Sequence, residues 1–180
     1  MPNWCSNTLT LTHEDPDQIA RAVAGFKNGR LLDELVPMPS STRDSDAWYD
    51  WAVNNWGTKW DVGGEDYEPE VSNNGHSVTF SFDSAWSPPL TAYESMMDLG
   101  FEVEGMYYEP GMAFAGIWSN GSDDYYDLSE MNNQEVEDAL PSMLNDCFAI
   151  SEMMYDNEDE EPLTEWYVDG AREKGLIKDE

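Results

Sequence analysis

Leu9 and Leu11 alternate with Thr8, Thr10 and Thr12, the two-residue period of a strand with one buried face, so residues 4–12 are predicted as a β-strand. A helical pattern follows. Asp15 is placed as an N-cap with Pro16 at the first helical position and Gln18 at the third, Ile19, Val23 and Phe26 fall on one face, and Asn28-Gly29 ends the run. Residues 31–39 read as a loop-like apolar stretch docked on the core. Residues 47–55 predict a short helix carrying Trp48 and Trp51, residues 58–62 a short strand, and the acidic residues 63–70 a loop. Asn74-Gly75 is a turn signal before a strand at 77–83, in which Val78, Phe80 and Phe82 share a face. Ser87, followed by Pro88, is expected to cap a second helix with Leu90, Tyr93 and Met97 on its apolar side and Gly100 just past its end. Residues 101–109 alternate as a strand. Pro110-Gly111 turns into a strand at 113–119, and Asn120-Gly121 turns into a last one near Tyr125, Tyr126 and Leu128.

From Asn132 onward the period changes. Val136, Leu140, Met143, Leu144, Cys147, Phe148 and Met154 recur at helical spacing, with Pro141 expected to kink or break the helix. Residues 156–161 are an acidic run interrupted only by Asn157, after which Pro162 can open a final helix carrying Trp166 and ending near Gly175. The pattern predicts an α+β chain in two parts. Residues 1–130 form a ferredoxin-like βαββαβ sheet with extra antiparallel strands, and residues 131–180 form an acidic helical extension packed on it.

Charge changes the picture more than any local motif. Asp and Glu number 38 against eight Lys and Arg, a formal net charge of −30, and the two signs are segregated. No basic residue lies between 61 and 171, a stretch that holds 27 of the 38 acidic groups, where roughly a dozen basic residues would be ordinary. Direct binding to nucleic acid or to an anionic membrane is disfavoured, since phosphate contacts need Lys and Arg. Strongly basic partners are favoured. The apolar share of 40%, with eight Trp and nine Tyr, is ample for a packed core despite that charge. The N-terminus shows no basic region followed by an apolar run, no segment is apolar enough to span a membrane, and two distant cysteines make no disulfide framework. A reduced cytoplasm, that of a host cell, is the expected compartment.

Four stretches carry a resemblance: Asn3-Trp4-Cys5-Ser6-Asn7; Asn55-Trp56-Gly57-Thr58-Lys59-Trp60; Ala85-Trp86-Ser87-Pro88-Pro89; and Glu109-Pro110-Gly111 with Phe114 and Gly116. Over about residues 1–120 the chain resembles the Api-like family of uncharacterised phage and enterobacterial proteins. The resemblance implies a ferredoxin-like domain and a phage or mobile-element origin, and it supplies no catalytic residues. The acidic tail lies outside it.

The candidate partner-binding residues are acidic. Glu135, Glu137, Asp138, Asp146, Glu152 and Asp156 stand away from the apolar stripe of the C-terminal helical region, Glu158 and Asp159 continue them, and Asp123 and Asp124 lie beside the tyrosines. Carboxylates four residues apart on a helix are about 6 Å apart, similar to successive phosphates of a DNA strand, so a rigid rod of them can present a phosphate-like array. The leading expectation is a non-enzymatic inhibitor or decoy of a host nucleic-acid-handling defence protein, such as a restriction or CRISPR effector. The structural alternative is a solvated helix face. A second reading is an adaptor that binds through an aromatic sheet face, one tyrosine of each pair Tyr107/Tyr108 and Tyr125/Tyr126 pointing outward, with acidity serving solubility. A third is a small enzyme or ligand-binding domain with a pocket near Trp56, Lys59, Trp60 and Trp86. Lys59, a lone cation among acids, is expected to form a buried or half-buried ion pair that organises Trp56 and Trp60, with a catalytic or anchoring amine as the functional alternative. No metal or cofactor is expected. Cys5, Cys147, His13 and His76 lack zinc spacing, and Asp44, Asp46 and Asp50 begin like a calcium loop but Tyr49 stands where its glycine belongs.

Overall fold

The threonine–leucine alternation becomes β1 (Trp4–Thr12), in which Cys5, Asn7, Leu9 and Leu11 are buried and the residues between them are not. The computed structural model describes residues 3–158, with side chains to residue 154. The chain divides after Glu130 into two units. In the first, β1 is followed by α1 (Pro16–Lys27), α2 (Leu31–Leu35), α3 (Ser40–Arg43), α4 (Trp48–Asn55), β2 (Glu70–Val71), β3 (Ser77–Ala85), α5 (Leu90–Asp98), β4 (Glu102–Glu109), β5 (Phe114–Ser119) and β6 (Ser122–Asp127). The strands form one six-stranded sheet in the order β2-β3-β1-β4-β5-β6. Every pairing is antiparallel.

Register decides which side chains meet. Leu9 lies opposite Phe80 and Gly105, and Leu11 opposite Val78 and Val103, so these positions share one face. Ile19, Ala22 and Phe26 of α1 and Ala92, Tyr93 and Met96 of α5 join them in a single core. Burying a large apolar side chain of this kind is worth about 1.5–3 kcal/mol, so this face holds the unit together. The other face carries Ser6, Thr8 and Thr10 of β1 and the exposed acids Asp83, Glu102, Glu104 and Asp124.

Asp15 caps α1 as expected, its carboxylate accepting from the Asp17 amide at 2.9 Å with Pro16 behind it. Gly100 follows the end of α5 with φ +94°, the left-handed conformation that suits glycine. Three local expectations are corrected. The stretch 31–39 is not all loop, because Leu31–Leu35 makes a helical turn that buries Leu31, Leu32 and Leu35. Residues 58–62 are not a strand, since their polar groups bond to other segments rather than to a strand neighbour. Ser87 does not cap α5. The helix starts at Leu90 after Pro89 (φ −81°, ψ 55°) without a side-chain cap, and the Ser87 hydroxyl donates to the Gly57 carbonyl at 2.6 Å.

The second unit holds α6 (Asn133–Ala139), α7 (Ser142–Phe148) and α8 (Ile150–Glu158). Asn132 and Glu135 form a capping box at the start of α6, each side chain accepting from the other's amide. The expected rod of carboxylates is therefore corrected to three short helices. Leu140 is extended (φ −84°, ψ 144°) because Pro141 follows it, and Ala149 is left-handed at φ 50°. Val136, Leu140, Leu144 and Ile150 are buried.

Candidate functional site

The predicted acidic residues fare differently. Glu135, Glu137, Asp138, Asp146 and Glu152 are all exposed, but on three helices rather than one line. Glu135 is spent partly on its capping box, and Asp138 accepts from Gln134. The Asp156 and Glu158 side chains, Asp159, the 156–161 run and the helix after Pro162 lie outside the described residues. Asp123 and Asp124 do not form one acidic point. Adjacent on a strand, they face opposite sides of the sheet, and Asp123 accepts from the Tyr107 hydroxyl at 2.8 Å. Burial and that bond push the Tyr107 phenol well above its ordinary value, so it stays a donor. The expected outward tyrosine of the Tyr107/Tyr108 pair is corrected: the two face opposite sides of the sheet, yet both are buried. Tyr107 lies over Gly116, where a Cβ would fall 2.2 Å from its hydroxyl. Tyr125, on the edge strand, is exposed.

The described basic residues are each occupied within the first unit. Arg21 pairs with Glu34 at 2.7 Å and Lys27 with Glu68 at 3.3 Å. Arg30 and Arg43 both bond the carboxylate of Asp33, which also accepts from the Met38 amide at 3.0 Å and is only 4% exposed. Desolvation drives the Asp33 carboxyl upward, but the two guanidiniums and the amide outweigh it and hold the carboxyl below its ordinary range. Lys59 makes no ion pair among the described residues, which corrects that expectation. Its ammonium sits 4.7 Å from the ring centre of Trp60, 5.1 Å from Trp86 and 5.8 Å from Tyr49, within cation–π range of all three. The acid nearest in sequence is committed elsewhere. The Asp61 carboxylate accepts from the amides of Leu32 (2.7 Å), Asp33 (2.9 Å) and Val62 (2.9 Å).

The four stretches singled out in the sequence converge at one end of the sheet. The Trp86 amide donates to the Asn3 carbonyl at 2.9 Å, the Thr58 hydroxyl to the Ala85 carbonyl at 2.9 Å, and the Ala92 amide to the Trp56 carbonyl at 3.2 Å. Asn7 donates to the Cys5 carbonyl (2.7 Å) and to Ser84 (2.8 Å), and Ser84 donates to the Ser87 carbonyl (2.8 Å). Glu109, fully buried, accepts from the amides of Gly111 and Met112. Burial, then the Glu109 charge, pushes the Cys5 thiol up to about 12, so it packs rather than reacts. Trp86 is held at φ 70°, a left-handed conformation that costs a non-glycine residue about 1–3 kcal/mol. This network is structural, and what it displays is aromatic. Trp4 (48% exposed), Trp60 (39%) and Trp86 (40%) stand out at the surface, with the Trp4 and Trp60 ring centres 5.9 Å apart.

Beside these rings lies a cleft of about 460 Å³, walled by Trp4, Trp60 and Tyr67 and lined by Ser6, Asp61 and Asp83. Gly63 forms part of its wall at φ +105°; a Cβ there would lie 2.2 Å from the Phe26 carbonyl, so the backbone comes this close only as glycine. Asp83 accepts from the Ser6 hydroxyl at 2.9 Å. Burial pushes the Asp61 carboxyl above its ordinary value against the pull of its three amides. The Tyr67 phenol is raised too, by burial and then by the charge of Asp83. The pocket expected near Trp56, Lys59, Trp60 and Trp86 is thus displaced. Trp60 lines the cleft, Trp56 is core with its indole donating to the Val36 carbonyl, and Lys59 and Trp86 lie outside it. Asp61, Tyr67 and Asp83 were not singled out by sequence reasoning. The only signal was the strand alternation that puts Asp83 on the face opposite Phe82.

No protein-family model matches the sequence, and no curated protein matches it. Among solved structures the chain is similar to the protein api92 from Yersinia pseudotuberculosis, described under the family model DUF1281, at 9% identity and a TM-score of 0.48, over 70% of this chain and 98% of that one.

Proposed function

We propose that this protein is a non-enzymatic acidic binding protein that occupies a strongly basic surface of a host nucleic-acid-handling protein and competes there with nucleic acid. One observation carries the reading: each of the five described basic side chains is occupied inside its own unit, while Asp83, Glu102, Glu104 and Asp124 on one sheet face and Glu135, Glu137, Asp138, Asp146 and Glu152 on α6, α7 and α8 are exposed. Among the described residues, the exposed charge left without an internal partner is anionic. Such a surface gains the same steering toward a basic cleft that nucleic acid uses. With three short helices in place of one rod, the mimicry is of charge density rather than of a linear phosphate ladder. A phage-encoded role against a restriction or CRISPR effector in the host cytoplasm is the setting that fits the acidity and the family resemblance. The order β2-β3-β1-β4, with α1 and α5 as the crossing helices, supports a ferredoxin-like core to which β5, β6 and the acidic helices are added.

The test is a tagged pull-down from nuclease-treated bacterial lysate, washed at low and at high salt. The expected catch is a basic nucleic-acid-binding protein that is released by salt and displaced by added DNA or RNA. A partner that resists both sinks the charge reading. It would favour the adaptor alternative, for which the exposed rings of Trp4, Tyr49, Trp60 and Trp86 supply the contact area.

A further inference from the structure

The cleft beside Trp4 and Trp60 combines features that distributed acidity does not require. Its walls are aromatic faces, its volume of about 460 Å³ is that of a small-molecule or side-chain site, and its polar lining is anionic or hydroxylic. Two carboxylates reach it, and neither forms a salt bridge among the described residues, although the Arg30 charge acts on Asp61. Asp61 is met only by backbone amides, and Asp83 is held by the Ser6 hydroxyl. The neighbouring rings already show their preference, since Trp60 and Trp86 hold the ammonium of Lys59.

We propose that this cleft receives an arginine side chain of the protein partner. The idea rests on the reading that the partner is basic, and it assigns that partner a specific anchoring point. A guanidinium is planar and weakly hydrated, so it can lie against an indole while its N–H groups reach a carboxylate; an ammonium does the second but stacks less well. Trp4, Trp60 and Tyr67 supply the faces. Asp83, oriented by Ser6, supplies the acceptor, and Asp61 sets the negative potential at the wall. Complementary charge is what selects arginine over an apolar anchor, because an apolar occupant would strip water from Asp83 without replacing it.

The probe is a capped tripeptide, acetyl-Gly-Arg-Gly-amide, titrated into the full chain and followed through the indole N–H resonances of Trp4 and Trp60, assigned with Trp4→Phe and Trp60→Phe. Citrulline in place of arginine gives a neutral control of the same shape. The expected result is a saturable shift of both indoles with the arginine peptide, weakened about tenfold by Asp83→Asn and absent with citrulline. Equal shifts from both peptides, or none from either, overturn the proposal. The pull-down keeps its failure separate from that of the function. A basic partner recovered undiminished by the Trp60→Leu/Asp83→Asn double variant overturns the arginine anchor and leaves the charge reading standing. An arginine peptide that binds while no basic partner is recovered supports the cleft and removes the proposed function.

Discussion

Asp33 and Asp146 are the same residue type in opposite circumstances. Asp33 lies in the helix layer of the first unit, buried and held by Arg30, Arg43 and the Met38 amide. Asp146 lies on α7 in a unit whose described residues include no Lys or Arg. The first is a fastener, worth what its network contributes to folding. The second meets no salt-bridge partner among the described residues and adds to the repulsion within an already anionic chain. The difference teaches where to look for function in a chain this acidic: not at the count of carboxylates but at those the fold leaves without a cation.

That contrast can be broken in four places. The largest effect is expected at Gly63→Ala. The new Cβ meets the Phe26 carbonyl at 2.2 Å and the backbone is at φ +105°, so a loss of about 3 kcal/mol follows from overpacking plus strain; denaturant unfolding measures it. Next, Asp33→Asn removes the charge that two arginines share and turns one acceptor oxygen into a donor, and should cost about 2 kcal/mol, moderated because Arg30 and Arg43 are themselves well solvated.

Acid titration sharpens the same point. The Asp33 carboxyl is lowered from 3.8, so its contribution is complete above that pH and is lost as pH falls through its folded value. Asp61 is raised from 3.8, and its contribution runs the other way, complete below 3.8 and lost as pH rises through its folded value. Thermal midpoints of the parent should therefore decline below about pH 4, and Asp33→Asn should flatten that decline. The smallest effect belongs to the exposed acids. Neutralising Glu137, Asp146 and Glu152 together should change stability by less than about 0.5 kcal/mol per site, in the stabilising direction. A loss as large as that at Asp33 would mean these residues are structural after all.

Much of the first unit was legible because local chemistry and the fold agree there. Asp15-Pro16, Asn74-Gly75, Gly100 and Asn120-Gly121 each stop or start an element for a reason carried by the residue itself. Failures came where distant partners decide. Residues 58–62 look like a strand, yet Thr58 is needed by the Ala85 carbonyl and Asp61 by three amides around α2. Lys59 was expected to find a carboxylate, but Asp61 is already satisfied and the ammonium settles on rings brought in from α4 and from the end of β3. The two-residue β2 has too short a pattern to read. In the second unit the apolar spacing is continuous across Pro141, so the period alone could not show that Leu140 and Ala149 turn the chain. The cleft was invisible for a related reason. Trp4, Trp60, Tyr67 and Asp83 come from four separate stretches, and only the strand register and the glycine at 63 bring them together.

We propose that carboxylates without internal cations are the binding surface, a proposal that rests on their charge. Its most direct test is to reverse five of them together, Glu135→Lys, Glu137→Lys, Asp138→Lys, Asp146→Lys and Glu152→Lys, confirm folding by circular dichroism, and measure capture of the basic partner from lysate at low salt. Capture should be abolished while the fold persists. Undiminished capture by a folded variant would contradict it.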